Sequence, residues 1–186
     1  MNRYATSTAI LLATLLFASQ ALALDGYRDR RGLFYGVTLG GASFKADIAG
    51  SKRNLGYTFG GKVGGGVSEN LTLDGSLNFQ LQDYDQSGIA VKTNSTEMLV
   101  GGNYFLTIDQ AKNGLFLRGE VGLVSQSTEV LGAESDETGL VVGGGLGYEF
   151  FASADLAVGI GATYKLQQFD DANVSVLQFA ITANWY

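Results

Sequence analysis

Apolar and polar residues alternate along most of the chain. Leu71, Leu73, Gly75, Leu77, Phe79 and Leu81 interleave with Thr72, Asp74, Ser76, Asn78, Gln80 and Gln82. A period of two puts these sets on opposite faces of an extended strand. The same pattern recurs from Leu156 to Gln167 and from Leu177 to Trp185. Eight such segments are predicted, at 33–44, 55–67, 71–83, 94–106, 114–126, 138–150, 155–168 and 174–186. Their connections alternate in length. Ser68 to Asn70, Thr107 to Asn113 and Phe151 to Ala154 are mostly compact, whereas Lys45 to Asn54, Tyr84 to Thr93 and Ser127 to Glu137 are longer and polar. Short turns at one end and longer loops at the other predict an all-β, eight-stranded antiparallel up-and-down barrel, its first strand closing on its last.

The pattern also bears on which face points outward. Segments of this length exceed the ~9–11 residues a tilted strand needs to cross the hydrocarbon layer of a membrane. The apolar phase carries no charged residue, and its aromatics gather toward the strand ends. Tyr35, Tyr104, Tyr148, Phe150 and Trp185 fall on the short-turn side; Tyr57, Phe59, Phe79 and Tyr164 fall on the other. Aliphatics and glycine lie between, as in two aromatic girdles around a lipid-facing band. The opposite phase is rich in Gly, Ser, Thr, Asn and Gln and carries Lys62, Asp74, Glu97, Arg118, Glu120, Glu149 and Lys165. Three cations and four anions come close to pairing off, as a narrow bore requires, because a bare charge there costs several kcal/mol. Asp74, Arg118, Lys62 and Glu120 are expected to share one ionic layer that plugs the bore. The rival fold is a soluble lipocalin-like barrel with an oily cavity.

The N-terminus is set apart from the fold. Arg3, the apolar run Thr8 to Ala18 and the small-x-small triplet Ala21-Leu22-Ala23 read as a secretory signal cleaved after Ala23. Residues 24–32, with Arg28, Arg30 and Arg31, are expected to form a short periplasmic tail, and 33–186 the barrel domain. Composition then narrows the chemistry. Neither Cys nor His occurs in the 186 residues, which removes disulfides, thiolate sites and the commonest transition-metal ligand. The formal charge of -6 disfavours nucleic acid. Glycine is abundant, and Gly64 to Gly66, Gly101-Gly102 and Gly143 to Gly145 lie within strands. No phosphate-loop motif accompanies them, so curvature of a small barrel is their reading.

The segment Leu33-Phe34-Tyr35-Gly36-Val37-Thr38-Leu39-Gly40, the strand Val141 to Phe150 and the aromatic end Asn184-Trp185-Tyr186 resemble the small outer-membrane β-barrel superfamily of OmpA transmembrane-domain, OmpX and opacity-type proteins. The resemblance covers about 33–186. It implies the outer membrane of a Gram-negative bacterium, with short turns in the periplasm. It also implies a terminal aromatic residue read by the barrel-assembly machinery. Trp185 closes the apolar phase and Tyr186 falls in the other, so both are candidates for that signal.

Function is read as non-enzymatic: a structural or surface-interaction role through the outer loops. Barrel enzymes of the outer membrane resemble one another in relying on His, which is absent here. The carboxylate pairs Asp83/Asp85, Asp136/Glu137 and Asp170/Asp171 are read as solvated loop charges, with no catalytic, cofactor or metal site assigned. Lys45, Lys52 and Arg53 are candidates to touch lipopolysaccharide phosphates. The alternatives are a narrow pore for ions or small solutes and a soluble periplasmic carrier.

Overall fold

The computed structural model describes residues 30–47, 53–86, 89–108, 112–130, 133–170 and 172–186, with backbone alone for 85, 86, 89, 90, 107, 108, 133 and 134. The signal sequence, Arg28, Lys52, Asp171 and the Asp85 side chain lie outside it. The strands are β1 (Gly32–Ala46), β2 (Asn54–Gly66), β3 (Leu71–Gln86), β4 (Ile89–Ile108), β5 (Gly114–Val130), β6 (Ala133–Phe151), β7 (Leu156–Gln168) and β8 (Asn173–Trp185). Each pairs antiparallel with the next, and β1 pairs with β8, so the sheet is a closed barrel. Closure leaves the membrane-depth wall without an unpaired edge, the condition for backbone to cross lipid. No described helix is long and apolar enough to cross a membrane.

The two phases face as an outer-membrane barrel requires. Leu73, Val121, Leu146, Ile160 and Phe179 are exposed on the outer wall, whereas Asp74 and Lys165 are buried within. The soluble-carrier reading is thereby overturned, because the interior holds charges and the oily surface lies outside.

Two expected loops are strands instead. The β3–β4 ladder continues to Gln86↔Ile89 and the β5–β6 ladder to Val130↔Ala133. The polar stretches 84–93 and 127–137 kept the strand alternation but exchanged apolar for polar residues, and so lost the signal of burial. Among the described residues the neighbouring strands stop earlier: β6 meets β7 from Leu140 onward, and β3 meets β2 up to Gln82. Strands β3 to β6 therefore stand above the rest as a four-stranded sheet. The seven residues of β6 from 133 to 139 amount to roughly 23 Å of strand at ~3.3 Å per residue.

Candidate functional site

The bore is layered. Its middle is polar, and all seven predicted lumenal charges face the inside of the barrel. Arg118 on β5 grips Asp74 on β3 with two hydrogen bonds of 2.9 Å and donates its Nε to Glu120 at 2.7 Å. Lys165 on β7 bridges Glu120 at 3.3 Å and Glu97 at 2.7 Å. Gln167 continues the chain, donating to Glu97 at 2.9 Å and to Gln80 at 3.1 Å. The groups are linked across β3, β4, β5 and β7. Gly101 makes room for this belt, since a Cβ there would press on an Arg118 guanidinium nitrogen and on Glu120.

Lys62 stands apart from the ionic layer expected of it. Among the described residues it makes no ion pair, and its ammonium lies 5.8 Å from the centre of the Phe34 ring. It lines a lumenal cavity of about 70 Å³ with Ser76, Gln178, Thr182 and Asn184 among others. That is space for a few waters at roughly 10–15 Å³ each. Glu149 also lies outside the belt, at the short-turn mouth.

There Arg30 enters, a residue placed in the tail by its sequence position. Its side chain is buried, and its Nε donates to Glu149 at 2.8 Å. Asn184 Nδ2 donates to the same carboxylate at 2.6 Å, and the Tyr186 hydroxyl lies 3.2 Å from it. Burial first, and the adjacent carboxylate second, push the Tyr186 phenol well above its ordinary range, so it remains a donor. With Arg30 counted, the lumen holds Arg30, Lys62, Arg118 and Lys165 against Asp74, Glu97, Glu120 and Glu149, an even balance. No periodicity could flag Arg30, because it precedes the first strand.

The lumen, expected to be filled by small residues and paired polar groups, also holds apolar layers. Phe34, Phe105, Phe116 and Phe151 collect at the short-turn end. Leu99, Val124, Val141 and Phe169 form one apolar cluster nearer the other end, and Ala42, Phe44 and Val176 form a second. A charge-free outward phase places no bar on apolar residues in the inward one, and at both ends they exclude water.

On the outer wall the nine predicted aromatics occupy the outward phase. Tyr35 stacks on Trp185 at 5.5 Å and Phe59 on Phe79 at 5.3 Å. Trp185 thus faces outward while Tyr186 turns in. An apolar wall around an ion-paired bore is the arrangement of a membrane barrel. The family of outer membrane protein β-barrel domains matches residues 9–186. This chain belongs to that family. Its place is therefore the cell outer membrane. Among solved structures it is similar to Neisserial surface protein A, with a TM-score of 0.66, 17% identity and coverage of 83% of this chain and 99% of that one. It is similar also to Ail, the attachment invasion locus protein of Yersinia pestis, with a TM-score of 0.55, 16% identity and coverage of 83% and 99%. OprG from Pseudomonas aeruginosa aligns with a TM-score of 0.50, 9% identity and coverage of 86% and 99%. No curated protein matches the sequence.

In this member of the family several charges lie at the strand ends remote from the short turns. Asp83 lies in β3 as expected, Asp136 and Glu137 lie in a paired strand where a loop was expected, and Asp170 sits beside the β7–β8 turn. Register places Asp83, Lys92, Glu129 and Glu134 directly opposite one another across β3 to β6. On the low side Lys45 lies in β1, and Arg53 donates to Ser43 at 3.4 Å. Neither cation makes an ion pair among the described residues. No cluster of three or more metal-binding side chains occurs among them.

Proposed function

We propose that this outer-membrane barrel is a non-enzymatic surface protein whose extracellular sheet, formed by the upper parts of β3 to β6, engages a partner. The carrying observation is the free-standing sheet. Residues 133–139 of β6 extend past β7, and an unpaired edge is a template for a further strand. The exposed carboxylates of Asp83, Glu129 and Asp136 on this sheet suit a cationic partner, since like charges brought together across an interface are costly. One solved structure of Ail is of a complex with a heparin analogue, sucrose octasulfate; on charge, the acidic sheet here suits polyanions poorly. Lys45 and Arg53 on the low rim are proposed contacts for lipopolysaccharide phosphates. The C-terminal aromatic pair is proposed as the signal for the barrel-assembly machinery, with Trp185 the residue presented outward.

A narrow pore is the weaker reading, because an ionic belt and apolar layers fill the bore. The test presents the protein in lipid nanodiscs to extended peptides graded in charge. Retention of oligolysine peptides, and its loss in the Glu129→Gln, Asp136→Asn double variant, is the expected result. Equal retention of oligoglutamate peptides would sink the proposal.

A further inference from the structure

The chain ahead of β1 hooks back under the barrel. Gly32 has a φ of +99°, a conformation side chains disfavour, and it reverses the chain so that Arg30 points up the bore. Its ladder partner is Gly66, where a Cβ would collide with the Arg30 backbone and the Arg31 Cα. Two facing glycines thus supply the hinge and the clearance for the hook. Once inside, the Arg30 guanidinium lies 3.8 Å from the Phe105 ring centre and 5.2 Å from that of Phe151, a cation seated among aromatic rings. Its Nε holds Glu149 while the Tyr186 hydroxyl approaches the same carboxylate. A residue from before the first strand and one from after the last therefore meet on β6.

We propose that Arg30 is a releasable stopper for the periplasmic mouth of the lumen. Seated, it closes the floor with Tyr186 and neutralises Glu149; withdrawn, it leaves that carboxylate and the lower bore open to water. Withdrawal breaks no strand pairing, because the first ladder pair is Gly32↔Gly66 and Arg30 lies outside it. The seat is also incompletely satisfied, since Arg30 Nη2 is buried without a hydrogen-bond partner. Such a locally held segment opens at far lower cost than the barrel unfolds.

The absence of cysteine from the chain permits a direct test. Ala157 is fully buried in the floor, opposite Phe151 and Asn184 in the ladders, so Ala157→Cys places a single buried thiol beside the Phe151 ring that Arg30 lies against. The folded full-length mature protein is exposed to a charged, water-soluble thiol reagent, alone and combined with Arg30→Ala or Gly66→Val. The glycine variant keeps Arg30 and Glu149 but denies the hook its clearance. Both combinations are expected to label at least about tenfold faster than Ala157→Cys alone, with the heat-dependent gel shift of a folded barrel retained. Equal rates in all three, or a background rate matching heat-unfolded protein, would overturn the stopper. Loss of folding in both variants would also overturn it, by making the hook a fixed structural part.

Discussion

Arg118 reaches over the bare backbone of Gly101 on β4 to hold Asp74 on β3 through two parallel hydrogen bonds of 2.9 Å. Paired guanidinium and carboxylate satisfy each other in one plane, and Glu120 and Asn103 take further donors of the same fork. Breaking a buried pair from one side leaves a charge without compensation, at roughly 3–5 kcal/mol. Arg118→Ala is expected to lower the unfolding free energy by that order in urea titrations of liposome-embedded protein. The Arg118→Met, Asp74→Leu double variant removes both charges and should recover much of the loss. An unchanged midpoint for Arg118→Ala would mean that water already solvates the pair.

The belt also predicts electrical silence. Arg118, Asp74, Glu120, Lys165 and Glu97 are joined by contacts of 2.7–3.3 Å across several strands, and apolar clusters lie beyond them. An ion crossing the bore must part these pairs and then pass a dry layer. Wild-type protein in planar bilayers is expected to show no large, sustained conductance steps. Frequent stable openings would favour the pore reading.

The legible part of this fold was its period and the sign of its faces. Leu73 against Asp74 and Tyr164 against Lys165 were enough to infer wall and lumen, because burying a charge or exposing an oily stripe is costly everywhere in the barrel. Strand length was less legible. Lys92, Glu129 and Asp136 are exposed on the outward face beyond the apolar band, where that face is polar, so the ladder there continues on backbone hydrogen bonds without the alternation that marks a wall strand. Arg30 was illegible for a different reason: its place depends on a glycine reversal and a distant carboxylate, neither of which has a fixed spacing from it. Lys62 shows the limit of charge counting, since phase placed it in the lumen but could not assign it a partner.

The outward phase makes a depth-dependent prediction. Val121 is exposed in the middle of the outer wall, in register with Val100 and Val142. Arginine at the bilayer midplane costs about 2–4 kcal/mol, falling toward the interfaces. Val121→Arg should therefore destabilise the refolded barrel by that amount, and Leu55→Arg, near the rim on β2, by less than about 1 kcal/mol. Reversible folding into phospholipid vesicles measures both. Equal penalties at the two depths would contradict a lipid-facing wall.

The low rim offers the last test. Lys45, Tyr164, Leu166, Gln168, Asn173 and Ser175 line an open groove of about 390 Å³ where the apolar wall gives way to polar strand tops. Arg53 stands beside it through Ser43. A phosphorylated lipid can set its headgroup against the two cations and its chains against Tyr164 and Leu166, although Asp47 at the same groove opposes an anion. Each cation near an anionic lipid surface is worth about 1 kcal/mol. The Lys45→Gln, Arg53→Gln double variant should therefore weaken binding of bisphosphorylated lipid A by about 2 kcal/mol, roughly thirtyfold. Native mass spectrometry of the detergent-solubilised protein reads the occupancy. Lys92→Gln is the control, because Asp83 and Glu129 flank that lysine in register; it should leave lipid A binding unchanged. Equal weakening in both variants would show that lipid A responds to net charge alone, and inorganic pyrophosphate matching lipid A would remove the need for the apolar floor.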